Sequence, residues 1–162
     1  MKFSKISKEM FRKTFPCYDE ANFQDIYDSI LIPRRATAGS VGYDFKAIDD
    51  IMIKPKETVH FPTGIRVELN QGYFLLCVPR SGLGFKYGLR LLNTVGIIDS
   101  DYFHSDNEGQ IFAKFYNPSE ETITIKKGSG YMQEIILQCF ITEDDEPNLA
   151  VRNGGFGSTD GR

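Results

Sequence analysis

"GIRVEL", residues 64–69, carries the fold reading. Ile65, Val67 and Leu69 alternate with Arg66 and Glu68, a period of two that belongs to a strand with one covered face and one wet face. "TITIK", residues 122–126, alternates in the same way through Ile123 and Ile125. "YFLLCV" (73–78) and "EIILQCFI" (134–141) are apolar at successive positions, as strands covered on both sides are. Pro55, Gly64, Asn70-Gln71-Gly72, Asn117-Pro118 and Lys127-Gly128 supply turn chemistry between such runs. From residue 31 onward the chain therefore reads as all-β, a barrel or sandwich of short strands such as a jelly roll.

Upstream the pattern differs. Ile6 and Met10, then Phe11 and Phe15, lie four apart and predict a short amphipathic helix before Pro16. Residues 17–30 show no clear period. The expected organisation is an N-terminal extension, partly helical, over residues 1–30, a β domain over 31–150 and a glycine-rich arm over 151–162.

A chain of 162 residues, 41% hydrophobic and 25% charged, is one domain with a real core. Its net charge of −3 offers no general attraction to nucleic acid or to an anionic membrane, so a polyanionic ligand must meet local cations. Cys17, Cys77 and Cys139 lack metal-ligand spacing, and their odd number speaks against a disulfide framework. A reducing cytoplasm is expected. The start "MKFSKISKEMFRKTFP" lacks the apolar core and small-residue cleavage site of a signal peptide, and no apolar run is long enough for a membrane span.

Five stretches interrupt the strand pattern. In "AGSVGYDFKA" (38–47), Asp44 follows two glycines at the start of a strand. In "PRSGLGFKYGL" (79–89), Pro79 stops a strand, and Ser81-Gly82 offers a hydroxyl and free amides beside Arg80, an anion site in outline. "LLNTVGIIDSDYFHSDNEGQI" (91–111) reads as a hairpin entering at Asn93, turning near Gly96 and returning through Ile97 and Ile98. Asn93 carries both a donor and an acceptor, as a base edge demands. Asp99 and Asp101, two apart, would share one face of a strand. "KKGSGYMQEI" (126–135) sets two lysines and a turn before Gln133. "RNGGFGSTDGR" (152–162) joins four glycines, one ring and two guanidinium groups, which suits a phosphate and a stacked base. Singly each stretch also has an ordinary reading: a turn aspartate, a plain loop, a solvated acidic turn, a basic turn, a chain terminus without fixed structure.

Taken together, in this order and spacing, the five stretches resemble the five motifs of the trimeric dUTP diphosphatases. "GYDF", "PRSGLG", "NTVGIIDSDY" and "GGFGST" carry the likeness, which spans residues 38–161. The resemblance implies a jelly-roll-like distorted barrel and a homotrimer with sites shared between subunits, each closed by the C-terminal arm. It implies Mg2+-dependent hydrolysis of dUTP at the α-phosphorus to dUMP and pyrophosphate, which limits uracil in DNA and supplies dUMP for thymidylate synthesis. Asp99 corresponds to the carboxylate that orients and deprotonates the attacking water. Asp44 corresponds to the aspartate that meets the metal through water. Arg80, Ser81, Gly82 and Gln133 occupy phosphate-binding positions. Asn93 and the Gly96–Ile98 backbone correspond to the uracil hairpin, and Tyr102 to the residue beneath the deoxyribose. From the arm, Arg152 corresponds to the γ-phosphate contact and Phe156 to the ring stacked on uracil, while Gly157, Ser158 and Thr159 donate to phosphate oxygens. A cytoplasmic location, expected from the cysteines, goes with an enzyme for which no direct nucleic-acid binding is expected.

The sequence departs from the motif pattern in three places. "FHSDNEGQ" (103–110) inserts residues after Tyr102 and has Gln110 where an acid is common. Gly130-Tyr131 replaces the arginine frequent just upstream of Gln133, and Asp160 replaces the arm's final glycine. Two other readings stand beside the leading one. A deoxycytidine triphosphate deaminase of the same fold needs a glutamate at the hairpin, for which Glu108 is the nearby candidate. A regulatory protein built on this fold would use residues 1–30 and the 103–108 insertion as its partner surface.

Overall fold

The computed structural model describes residues 1–146. Along the chain run β1 (Lys2–Lys5), α1 (Lys8–Thr14), α2 (Glu20–Ser29), β2 (Arg34–Arg35), β3 (Tyr43–Lys46), β4 (Ile51–Ile53), β5 (Thr58–Pro62) and β6 (Ile65–Glu68). There follow β7 (Tyr73–Pro79), α3 (Ser81–Tyr87), β8 (Arg90–Leu91), β9 (Gly96–Ile98), a 3-10 turn (Ser100–His104), β10 (Phe112–Tyr116), β11 (Ile123–Ile125) and β12 (Gly130–Gln138). The protein is all-β, mostly strands with few and short helices. Among the described residues the largest sheet has the order β2-β3-β12-β7-β9; β5-β10-β8 forms a second, and β1-β6 and β11-β4 are two-stranded. Each of these pairings is antiparallel.

The alternation in "GIRVEL" places its side chains as expected: Ile65, Val67 and Leu69 are buried, while Glu68 is exposed. Ile123 and Ile125 are buried and Thr124 is exposed. In β7, Leu75 and Cys77 are buried, whereas Phe74, Leu76 and Val78 are half-buried. In β12, Ile135 and Ile136 are half-buried and Leu137 is exposed. The second face of these two strands, expected to be covered, is thus covered only in part by the chain's own residues.

Residues 1–30 are built into the same core. β1 pairs with β6 in the register Phe3↔Val67, and Phe3 packs its ring 5.1 Å from Tyr43 and 5.9 Å from Phe45. The predicted helix forms as α1, begun by the Ser7 hydroxyl, which accepts from the Met10 amide at 3.1 Å. The following stretch, without a clear period in sequence, is α2. Asp19 caps it through the Asn22 amide at 3.0 Å, and Phe23, Ile26, Tyr27 and Ile30 fall at helical spacing against the core. Phe11 is fully buried among Phe15, Phe23 and Tyr27, with centroids 4.2, 5.5 and 5.4 Å away.

Three local expectations change. "SGLGFKY" winds into α3 rather than a loop, and Gly88 ends it in the left-handed conformation at φ 67°. The hairpin turns earlier than expected, at Leu91–Thr94, which form an isolated bridge. Gly96–Ile98 then pairs with β7 instead of returning along the incoming strand. Past Asp99 the chain enters the 3-10 turn, so Asp99 and Asp101 are not neighbours on a strand face.

Candidate active site

Strand β9 follows the tight turn at Asn93 and lies on β7 in the register Cys77↔Gly96, Leu76↔Ile97 and Leu75↔Ile98. The pairing needs a glycine at 96: a Cβ there would come 3.0 Å from Cys77 Cβ and 3.2 Å from its Sγ. Asn93, Gly96, Ile98, Asp99 and Tyr102 border one cavity of about 900 Å³. That volume suits a small-molecule ligand. Leu91, Leu92, Val95, Ile97, Phe112 and Met132 make its lining largely apolar. The exposed Asp99 follows β9 and precedes the 3-10 turn, and its carbonyl accepts from the Tyr102 amide at 3.2 Å. Tyr102 is buried, its hydroxyl donating to the Gln110 carbonyl at 2.8 Å.

A second group gathers where β3, β7 and β12 run together. Gln133 lies opposite Asp44 in the β12–β3 register and donates its amide to Asp44 Oδ1 at 2.9 Å. Arg80, just beyond the end of β7, brings Nη2 to 3.8 Å from Asp44 Oδ2. Asp44 is buried while the Arg80 side chain is 42% exposed, so the carboxylate is a fixed anchor and the guanidinium still meets solvent. Ser81 and Gly82 begin α3 directly after Arg80 and are exposed. First-turn amides of a helix have no intrahelical acceptor and can turn to an anion. Gly130 leaves room for this guanidinium: a Cβ at this position would lie 2.7 Å from Arg80 Nη1. The guanidinium occupies the space that a side chain at 130 would take.

β7 links the two groups, since Cys77 pairs with Gly96 while Pro79 pairs with Met132, next to Gln133. Arg152, Phe156, Gly157, Ser158 and Thr159 lie outside the described residues.

Some residues of the cavity have no signal among the motifs. His60 and Lys114 are register partners on β5 and β10, and both border it. His60 stacks on Phe112 at 5.3 Å; burial, then the Lys114 charge, lowers its pKa. The alternation of "FAKFY" could have placed Lys114 opposite the buried Ala113 and Phe115, but only the cross-strand register shows what it faces. Cys77 and Glu134 form a second unexpected feature. The Cys77 thiol donates to Glu134 Oε1 at 3.2 Å, while Glu134 Oε2 has no partner and the residue is fully buried. Burial pushes the Glu134 carboxyl up to about 8, against the opposing effect of the thiol hydrogen bond. Burial, then the nearby Glu134, pushes the Cys77 thiol well up. Glu108, the candidate glutamate of the deaminase reading, is engaged elsewhere: it accepts from the Ser7 amide and hydroxyl and lies 3.7 Å from Arg66.

The dUTPase family model matches residues 28–160 of the chain. The deoxyuridine 5'-triphosphate nucleotidohydrolase of Nautilia profundicola is 41% identical over 133 residues, 80% of this chain and 90% of that protein. Its counterpart in Lactococcus lactis is 38% identical over 132 residues, 80% of this chain and 88% of that protein. The crystal structure of dUTPase from Streptococcus mutans superposes with a TM-score of 0.68 at 30% identity, covering 88% of this chain and 99% of that one. Agreement of this extent, running through both residue groups and the strands that carry them, is one of descent and not of a shared motif: the chain belongs to the dUTPase family.

Proposed function

We propose that the protein hydrolyses dUTP to dUMP and pyrophosphate. The observation that carries this reading is the cavity bordered jointly by the Asn93 turn, strand Gly96–Ile98, Asp99 and Tyr102, in a chain of this family. The Gly96–Ile98 backbone and Asn93 pair with the edge of uracil. Cytosine would leave buried polar groups unmatched, at about 1–3 kcal/mol each. The close packing of Gly96 on Cys77 keeps the strand tight, which leaves no room for the methyl of thymine. Tyr102 lies under the deoxyribose and leaves no room for a 2'-hydroxyl.

The triphosphate then runs toward Arg80, Ser81, Gly82 and Gln133. Asp44 holds both Arg80 and Gln133 beside it, so these donors are oriented before substrate arrives. Asp99, exposed at the cavity, takes a proton from a water aligned on the α-phosphorus. From the arm, Arg152 holds the γ-phosphate, Phe156 stacks on uracil, and Gly157, Ser158 and Thr159 donate to phosphate oxygens.

Among the described residues no three His, Cys, Asp or Glu side chains are grouped to hold a metal ion. Mg2+ keeps most of its waters and would be held mainly by substrate phosphates, with Asp44 the residue that would meet it through water. Bound Mg2+ would offset charge on the leaving pyrophosphate. Leu92, Val95 and Ile97, exposed beside the cavity, fit a contact between subunits of a homotrimer with shared sites. In this reading residues 31–150 are a jelly-roll-like catalytic domain, 1–30 an extension packed into its core, and 151–162 the arm that closes the site. The setting is cytoplasmic, without direct nucleic-acid binding. Among the described residues no helix is long and apolar enough to cross a membrane.

The test is a nucleotide panel. With magnesium, purified protein is expected to release pyrophosphate from dUTP and far less from dTTP, dCTP and UTP. Asp99→Asn is expected to abolish release and leave nucleotide binding nearly intact. Equal turnover across the panel, or full activity of Asp99→Asn, would refute the assignment.

A further inference from the structure

The residues inserted after Tyr102 form a hydrogen-bonded brace on that side chain. Asn107 Nδ2 donates to Tyr102 Oη at 2.7 Å, and Tyr102 Oη donates to the Gln110 carbonyl at 2.8 Å. The Asn107 amide can point only one way. Its Oδ1 accepts from the Gly109 amide at 3.1 Å and lies 2.7 Å from the Ser105 hydroxyl, which leaves Nδ2 as the donor to Tyr102. Ser105 Oγ is also 2.7 Å from the Tyr102 carbonyl, so the loop grips both the backbone and the side-chain tip of Tyr102.

The loop itself is held shut. Gly109 is left-handed at φ 70°, and a Cβ there would sit 2.6 Å from Phe103 Cα and 2.8 Å from the Tyr102 carbonyl oxygen. No side chain fits that closure. Glu108, also left-handed at φ 59°, is fixed from outside by the Ser7 amide at 2.7 Å, tying the loop to the start of α1.

We propose that Asn107 is a positioning residue for sugar selectivity, holding Tyr102 against the cavity so that a 2'-hydroxyl is excluded. This rests on the dUTP reading, in which Tyr102 lies under the deoxyribose. A phenol fixed only at its Cα can swing about χ1 and χ2. One bonded at its hydroxyl by a donor and an acceptor cannot swing without breaking both bonds. Loss of the Asn107 donor leaves the hydroxyl held by the Gln110 carbonyl alone, which loosens the ring at C2' rather than weakening every contact with the nucleotide.

The test compares kcat/KM for dUTP and UTP in wild type, Asn107→Ala, Tyr102→Phe and the double variant. Asn107→Ala is expected to lower the dUTP/UTP ratio by about tenfold, through a gain on UTP, with kcat for dUTP reduced much less. In the Tyr102→Phe background the hydroxyl is already gone, so Asn107→Ala is expected to add nothing to the change in ratio. A ratio held within about twofold in Asn107→Ala, or an equal fall in both backgrounds, overturns the brace. If Asn107→Ala does not fold, Tyr102→Phe alone must lower the ratio, and an unchanged ratio overturns the brace. Wild type releasing no pyrophosphate from dUTP would defeat the dUTP reading instead. A crystal structure of Asn107→Ala then decides the brace separately: an unmoved Tyr102 hydroxyl overturns it whatever the turnover.

Discussion

Gln133 and Asp44 face each other across β12 and β3, and the Gln133 amide donates to Asp44 Oδ1 at 2.9 Å. Because Asp44 is buried, that bond and the Arg80 guanidinium at 3.8 Å do the work that water does for an exposed carboxylate. Gln133→Ala leaves a buried carboxylate oxygen short of a donor, and a loss of about 1–3 kcal/mol in stability is expected from denaturant unfolding. Substrate affinity is expected to fall with it, since Arg80 is drawn toward the orphaned oxygen. A variant with wild-type stability and wild-type KM for dUTP would show that the pair neither supports the fold nor orients the phosphate donors.

Gly130 gives a sharper separation of the two effects. The atom that a new Cβ would meet is the tip of a flexible side chain, Arg80 Nη1 at 2.7 Å, and not backbone. Gly130→Ala is therefore expected to cost little stability while displacing the guanidinium from Asp44. The measurement is KM for dUTP beside the thermal midpoint: KM should rise severalfold with the midpoint nearly unmoved. A large fall in the midpoint would mean that Arg80 cannot give way.

At Gly96 the obstacle is stiffer, because Cys77 Cβ lies on the paired strand at 3.0 Å from the added atom. Gly96→Ala must push β9 off β7 by a few tenths of an ångström. Nucleotide binding is expected to weaken by about tenfold or more, as the backbone donors and acceptors that would read the base move with the strand. Cys77→Ala in the same chain removes Sγ but not Cβ, so only part of the loss should return. Full affinity in Gly96→Ala, measured by calorimetry with a non-hydrolysed dUTP analogue, would detach this strand from base recognition.

The strands were legible because alternation is a local signal: "GIRVEL" and "TITIK" place their buried side chains without knowledge of any partner. The stretches proposed for the site stood out in the sequence by their order and spacing, and the structure brings Asp44, Arg80 and Gln133 together as one group and Asn93, Gly96, Ile98, Asp99 and Tyr102 as another. What stayed hidden depends on register. Lys114 reaches the cavity only because β10 lies on β5 with His60 opposite, and Glu134 meets Cys77 only through the β12–β7 pairing. α2 was hidden for another reason. Its apolar face is interrupted by Gln24, Asp25 and Asp28, although Asp19 marks its start and Phe23, Ile26, Tyr27 and Ile30 keep helical spacing. The insertion after Tyr102 could be seen as extra length, but its closure on the Tyr102 hydroxyl needs the left-handed turn at Gly109.

Phe11 tests whether residues 1–30 are an appendage or part of the core. It is fully inaccessible and touches the ring of Phe15 just past α1 and those of Phe23 and Tyr27 in α2. Phe11→Ala is expected to cost about 3–5 kcal/mol, the range for a large ring removed from a packed interior. Unfolding should remain one cooperative transition, with the midpoint shifted down. A loss below about 1 kcal/mol, or a separate early transition, would mean that the helices pack loosely on an independently stable β domain.

Glu134 sets the expected pH dependence of stability. Its carboxyl titrates near 8 in the folded chain and near the ordinary value of 4.5 once unfolded, because burial penalises the charged form. Below pH 4.5 both states carry the proton and its ionisation takes nothing from stability. Between those values the unfolded chain releases a proton that the folded chain keeps, so stability falls as pH rises, and the loss is complete once the folded group ionises near 8. Glu134→Gln keeps the shape and an acceptor for the Cys77 thiol but removes the titration. Its thermal midpoint is expected to exceed that of wild type increasingly from pH 5 to 8, with the gap level above that. Cys77 and Tyr131, the titratable groups coupled to Glu134, are themselves pushed up by burial, so neither ionises in this window to mask the effect. Midpoint curves for the two proteins that run parallel across the range would place the Glu134 proton outside the folding equilibrium.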